Sequence, residues 1–165
     1  FGDSSFDIVL SVDMLEHLNK DIREKAISEM FRVARKAVYI GVPSGDEAAN
    51  QDKFLHNHYK DKIGKEYRFF EEQITEGLPQ IKEIYNMIVE SSKYYKKRVK
   101  IEVVGNENIT LHRIMMKGWM AKNLLVDIFF RKILLFAIPL FRLMNNPPYY
   151  RQLFFVEIKK YENSN

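Results

Sequence analysis

Phe6-Asp7-Ile8-Val9-Leu10-Ser11-Val12, followed at once by Asp13-Met14-Leu15-Glu16-His17-Leu18, decides how this chain is read. Phe6 to Val12 is a short, nearly continuous apolar run behind the turn-like Gly2-Asp3-Ser4-Ser5. Continuous rather than alternating apolarity is what a parallel strand covered on both faces needs. A helix follows: Ile22, Ala26, Ile27, Met30, Phe31 and Ala34 recur at helical spacing, with Arg23, Glu24, Lys25 and Arg32 on the other face. Asn19 or Asp21 caps it, and Asp21 with Glu24 has capping-box spacing. Ala37 to Val42 is a second buried-type strand, ended by Pro43-Ser44-Gly45. Strand, amphipathic helix and strand in close succession form a βαβ unit, whose parallel strands need such a crossover. The expected fold class is therefore α/β.

Beyond this unit the pattern loosens. Asp46 to Arg68 is polar and aromatic with weak periodicity, which reads as a long functional loop, a lid-like segment over residues 46–70. A helix is expected from about Pro79, with Ile81, Ile84, Tyr85 and Ile88 inward and the basic stretch Lys93 to Lys100 at its end. Val99 to Val104 alternates like a strand and is stopped by Gly105-Asn106. An apolar helical region covers about 111–144, with breaks expected near Gly118 and at Pro139. Arg151 to Lys160 makes a last strand, and Glu162 to Asn165 a tail.

Composition narrows the function classes. With 165 residues, 46% of them hydrophobic, the chain is long enough to bury a core as one domain. The formal charge is only +4, from 26 basic and 22 acidic residues, so nucleic acid is not an expected partner. The absence of cysteine excludes disulfides, thiolate chemistry and Cys-based zinc sites, and fits a cytoplasmic protein.

The stretch from Phe6 to Leu18 resembles the fourth-strand motif of class I S-adenosylmethionine-dependent methyltransferases of the type 11-like group. That motif has an FD opening, a hydrophobic strand and an LEH turn into a helix. The preceding Phe1-Gly2-Asp3-Ser4-Ser5 is similar to the end of the family's PF-x-D-x-S segment. Ala37-Val38-Tyr39-Ile40-Gly41-Val42-Pro43 follows as a fifth strand, and Pro147-Pro148-Tyr149-Tyr150-Arg151 precedes a final one. The resemblance implies a partial Rossmann-like sheet, strands four to seven with flanking helices, the last strand antiparallel. None of the seven glycines forms a G-x-G cluster after a strand. Residues 1–165 are accordingly expected to be the C-terminal part of one methyltransferase domain, without the main cofactor-binding loop. Phe6 to Val12 would then be an apolar open edge.

In an open α/β sheet, ligands sit at the carboxyl ends of the strands. Ser11, Val12 and Asp13 fall at such an end and are the expected contacts to S-adenosylmethionine, with backbone carbonyls and a carboxylate meeting its ammonium and sulfonium charges. His17 is the candidate catalytic residue. It would orient the cofactor, deprotonate an acceptor or hydrogen-bond within the turn.

His56-Asn57-His58 has no Cys ligands and no nuclease frame around it, so no metal is expected there. His112 has no visible partner in sequence. Leu124 to Met144 carries Asp127, Arg131, Lys132 and Arg142, and its longest uncharged run, Ile133 to Phe141, is too short for a span of roughly 20 residues. It reads as a core-covering helix or as an interfacial one with Arg131 and Lys132 at the lipid surface.

The leading expectation is a cytoplasmic methyltransferase, peripheral at the membrane if 124–144 is interfacial, acting on a small-molecule or lipid-linked acceptor. The competing expectation is a non-catalytic interaction module that keeps the half-sheet. Residues 1–165 alone are expected to bind S-adenosylmethionine weakly or not at all. Calorimetry on this stretch checks that, and micromolar affinity would overturn it.

Overall fold

The computed structural model describes residues 1–159, without the side chains at 127, 131, 135, 138 and 142. The expected strand end at Lys160, the tail Glu162 to Asn165 and the placing of Arg131 at a lipid surface lie outside the described residues. The chain is α/β, as expected. Strands β1 (Phe6–Val12), β2 (Ala34–Pro43), β3 (Arg98–Asn108) and β4 (Tyr149–Lys159) form one sheet in the order β1-β2-β4-β3. β1 and β2 are parallel, while β4 runs antiparallel to both of its neighbours.

Helix α1 (Lys20–Val33) makes the crossover between β1 and β2. Asn19, not Asp21, caps it: its side-chain oxygen accepts from the Ile22 amide at 3.1 Å. Helix α4 (Ile81–Tyr94) lies beside α1, and together they cover one face of the sheet. Phe31, Ile27, Ile84 and Ile88 meet Val38, Ile40, Phe154 and Val156 there, all but fully buried. The opposite face of β1 departs from the expectation of two covered faces. Ile8, Leu10 and Val12 are exposed, Leu10 by 67%, and among the described residues β1 pairs only with β2. The apolarity of β1 is continuous, but the described residues supply a layer for one side alone.

The segment expected to be a loop is helical. Helix α2 (Asp46–Ile63) is closed by Gly64 at φ +74°, and α3 (Arg68–Glu76) follows. Its periodicity is masked because the buried stripe of α2, Ala48, Gln51, Asp52 and Leu55, is half polar. The strand expected to stop at Gly105-Asn106 continues to Asn108. Gly105 serves close approach here, since a Cβ on it would lie 2.0 Å from the Tyr149 ring. The apolar region begins with α5 (Ile109–Trp119). It then breaks after Trp119 into α6 (Leu124–Ile128), short turns of π and 3₁₀ helix, α7 (Ile138–Phe141) and a final 3₁₀ turn. Among the described residues, no helix is long and apolar enough to cross a membrane.

One buried cation ties the turn after β1 to this frame. Arg23, on α1, donates through Nε to the Leu15 carbonyl at 2.9 Å, and through one terminal nitrogen to the Leu18 and Gly77 carbonyls at 2.8 Å each. Replacing it strands the buried Leu15 carbonyl and removes the donor shared by the part-buried Leu18 and Gly77 carbonyls. Arg23→Met is expected to cost about 2–4 kcal/mol of unfolding free energy. Urea titration checks it, and a loss below 0.5 kcal/mol on that scale would mean the carbonyls find other donors.

Candidate functional site

The carboxyl ends of β1 and β2 open onto a cavity of about 210 Å³. Asp13, Glu16 and His17 come from the turn after β1, and Pro43 from the end of β2. Tyr67, Phe69, Phe70 and Gln73 come from the start of α3, His112 and Met116 from α5, and Tyr150 and Arg151 from β4. A second core of Leu55, Phe70 and Met120, with Tyr67 and Trp119 against it, holds α2, α3 and α5 together as its roof. Parallel pairing in register (Val12 with Gly41) brings the two strand ends level, and the Asp13 amide continues the ladder to the Gly41 carbonyl at 3.0 Å.

Of the residues expected at the cofactor, Asp13 and His17 line this cavity, whereas Ser11 and Val12 do not. Ser11 points to the helix-covered face, buried, its hydroxyl without a partner. Val12 points to the bare face. Asp13 sits at φ +50°, a left-handed conformation that Asp tolerates better than most residues. Its carboxylate accepts from an Arg151 terminal nitrogen at 2.9 Å. Of the three residues expected at the cofactor, only Asp13 offers a side chain that fits a contact to S-adenosylmethionine at this cavity; Ser11 and Val12, on opposite faces of β1, offer no side chain to it. His17 stands at the rim, Nδ1 3.3 Å from a Glu72 carboxylate oxygen and its ring edge-on to Phe69.

Sequence reasoning missed the deeper groups. Glu16 was quoted only as a letter of the turn, yet it is 1% exposed, and its Oε2 has no partner. Burial pushes its carboxyl up to about 7, with Asp13 adding to the rise and Arg151 opposing it. Asp52, from α2, accepts a 2.8 Å bond from the Tyr150 hydroxyl, and burial pushes it, too, up to about 7. Burial also raises the Tyr150 phenol, so it remains a donor.

His112 does have partners: its ring stacks on Tyr150 at 3.8 Å, and Nδ1 lies 2.8 Å from Gln51 Nε2. Burial pulls its pKa down to about 4, so the neutral ring accepts at Nδ1 and carries its proton on Nε2. Gln51 is fixed in turn, donating to the Ile109 carbonyl and accepting from Arg113 Nε, each at 2.8 Å. Polar residues at helical spacing in α2 (Gln51, Asp52) were the one signal that could have pointed here. His56 and His58 lie on the same helix outside this cavity, and among the described residues no three His, Asp or Glu side chains are grouped to hold a metal.

Over residues 1–41 the chain matches the family model described as a methyltransferase domain. No curated protein matches it. Among solved structures it is similar to Haemonchus contortus phosphoethanolamine N-methyltransferase 2, in complex with phosphomonomethylethanolamine and S-adenosylhomocysteine. That likeness has 18% identity and a TM-score of 0.45, covering 96% of this chain and 35% of that one. A methyltransferase-like structure from Bacillus halodurans C-125 is similar at 12% identity and a TM-score of 0.42, over 96% and 72% of the two chains. A mycolic acid cyclopropane synthase complexed with S-adenosylhomocysteine is similar at 15% and 0.39, over 93% and 55%. The chain thus spans about a third of the length of the Haemonchus enzyme.

The raised Asp52 carboxyl has a defined consequence. The folded state keeps a proton that the unfolded chain releases above its ordinary value of 3.8, so stability falls as pH rises from about 4 to 7 and then levels. Glu16 contributes to the same fall. Asp52→Asn, which can still accept from Tyr150, is expected to shrink the drop in Tm between about pH 5 and 8 by several degrees. An unchanged drop in thermal scans would mean that Asp52 is ionised at both ends of that range.

Proposed function

With residues 1–41 read as methyltransferase-domain sequence, we propose that this chain is the C-terminal part of an S-adenosylmethionine-dependent methyltransferase. In this reading it supplies one side of the methyl-transfer crevice and the pocket for a small-molecule or lipid-linked acceptor. The observation that carries the proposal is the cavity at the joined carboxyl ends of β1 and β2, where the methyltransferase-like turn places Asp13, Glu16 and His17 together. When bound, the cofactor supplies an electrophilic methyl group on a sulfonium. Asp13 and the backbone at Ser11 and Val12 would hold that cofactor, with Arg151 fixing the Asp13 carboxylate. The aromatic residues at the start of α3 exclude water from the cavity and leave positioning as the main contribution of the chain. α2 and α3 act as the lid in this reading.

A specific observation favours a membrane-surface location for the acceptor. Leu125, Phe136 and Leu143 project from the 124–144 segment into solvent, Phe136 by 89%, and basic Lys122 immediately precedes the segment. An apolar surface of this kind, next to positive charge, suits an anionic lipid interface.

Two measurements on the full-length protein test these readings. Asp13→Ala is expected to weaken S-adenosylhomocysteine binding about tenfold or more in calorimetry, the loss of a charged contact. Unchanged affinity would remove Asp13 from the cofactor site. Replacing Leu125, Phe136 and Leu143 together by Ser is expected to abolish co-flotation with vesicles containing phosphatidylglycerol. Flotation that persists would sink the interfacial reading.

A further inference from the structure

His112 holds a hydrogen-bond donor for which no described residue supplies an acceptor. It sits near the start of α5, which Asn108 fixes: the Asn108 side-chain oxygen accepts from the Thr110 and Leu111 amides at 3.0 and 3.1 Å. α5 gives the cavity two side chains one turn apart, His112 and Met116, and the imidazole is the polar one. The ring is held on two sides, its face on Tyr150 and its Nδ1 against Gln51 Nε2. Its Nε2 has no partner among the described residues, yet it is not one of the unpartnered atoms sealed from solvent, as His17 Nδ1 is. The open side of this ring, only 8% exposed, is therefore the cavity that it lines.

Hydrogen bonding fixes which nitrogen of the ring carries the proton. Arg113 Nε only donates and the Ile109 carbonyl only accepts, and both bind the Gln51 amide at 2.8 Å. The Gln51 oxygen must therefore face Arg113, and its NH2 group Ile109. The second hydrogen of that group points at His112 Nδ1, 2.8 Å away, which must be bare to receive it. A proton on Nδ1 would set N–H against N–H, so the neutral ring is protonated on Nε2 and the imidazolium is disfavoured. Burial, and after it the charge of Arg151 on β4, push toward the neutral ring as well. Of the other charged groups nearby, Arg113 on α5 is bound to Gln51, and Asp52 on α2 to the Tyr150 hydroxyl. With its free lone pair committed to Gln51, this imidazole is no base for a guest. It can only give a hydrogen bond.

We propose that His112 is a substrate-binding residue, whose Nε2–H donates to an oxygen lone pair of the methyl acceptor held in this cavity. The inference rests on the methyl transfer proposed above. A guest that entered without such an oxygen would leave a buried donor unpaired, and the site discriminates against it for that reason. The oxygen so held is a recognition atom. A lone pair engaged by a donor is a weaker nucleophile, so the atom that takes the methyl group lies elsewhere on the same molecule.

The test follows the His112 imidazole of the full-length protein by NMR. The probe is dimethyl sulfoxide, whose oxygen accepts hydrogen bonds and which donates none. The free ring is expected to be the Nε2–H form and to stay neutral down to about pH 5. Titration with the probe is expected to move the Hε2 resonance downfield and to saturate. His112→Phe keeps a ring against Tyr150 and removes the N–H; it is expected to weaken the probe about fivefold or more while S-adenosylhomocysteine binds as before. His112→Gln, whose amide nitrogen can reach the place of Nε2, should recover part of that loss, which a purely structural role for the ring would not produce. A proton on Nδ1, or an Hε2 resonance that the probe leaves unmoved, would overturn the proposal on the wild-type protein alone, whether or not the variants fold. So would His112→Phe binding the probe like the wild type. Loss of S-adenosylhomocysteine binding in His112→Phe would give the donor to the cofactor, and so overturn its assignment to the methyl acceptor. Failure of the wild-type protein to bind S-adenosylhomocysteine, with the Hε2 shift intact, would instead overturn the methyl-transfer reading and with it the identity of the guest.

Discussion

Parallel pairing of β1 with β2 is the constraint on which the rest of the structure depends. Two parallel neighbours cannot be joined by a tight turn, so the chain must cross a face of the sheet before it returns, and α1 is that crossing. The same pairing brings both carboxyl ends to one edge, with Asp13 and Pro43 side by side. β4 then enters between β2 and β3 in the opposite direction. An antiparallel strand begins where its neighbours end, and for that reason Tyr150 and Arg151, at the start of β4, reach the same edge as Asp13 and Glu16.

The electrostatics of that edge follow from how little charge compensation burial leaves. Three carboxylates, Asp13, Glu16 and Glu107, converge on Arg151, while Asp52 is held by the Tyr150 hydroxyl instead. Only Asp13 has its guanidinium contact at hydrogen-bond distance. Glu16, Asp52 and Glu107 are therefore raised by burial, and the first two reach about 7. The neighbouring histidine moves in the opposite sense by the same cause: the His112 imidazole loses its proton because the charged form is the one that burial penalises. The site thus holds two carboxyl groups that exchange a proton near neutrality beside a histidine kept neutral.

Away from the crevice the fold exposes apolar surface in two places. The face of β1 bearing Ile8, Leu10 and Val12 has no covering layer among the described residues, and its outer edge has no strand beside it. The 124–144 segment breaks into short helical turns with much of its apolar side outward. In β1 the exposure follows from continuous apolarity on a strand with one covered face. In the 124–144 segment it follows from turns too short to form a stripe that could be buried.

By itself, the sequence determined the α/β class, the β1–α1–β2 unit and the turn that carries Asp13 and His17. Those features rest on local periodicity: a continuous apolar run, a helical stripe and a stop at Pro43, each readable within a dozen residues. The Ser11–Asp13 corner was legible for the same reason, since a strand's carboxyl end is a position along the chain. Only the tertiary structure decided what lies opposite it. The helicity of Asp46–Ile63 was hidden because its buried face carries Gln51 and Asp52, polar residues whose burial is permitted by partners some 60 to 100 positions away. Glu16 likewise looked like a turn residue until α3 and β4 closed over it. A side chain's burial, and with it the state of its proton, depends on contacts between distant segments, and no local pattern records them.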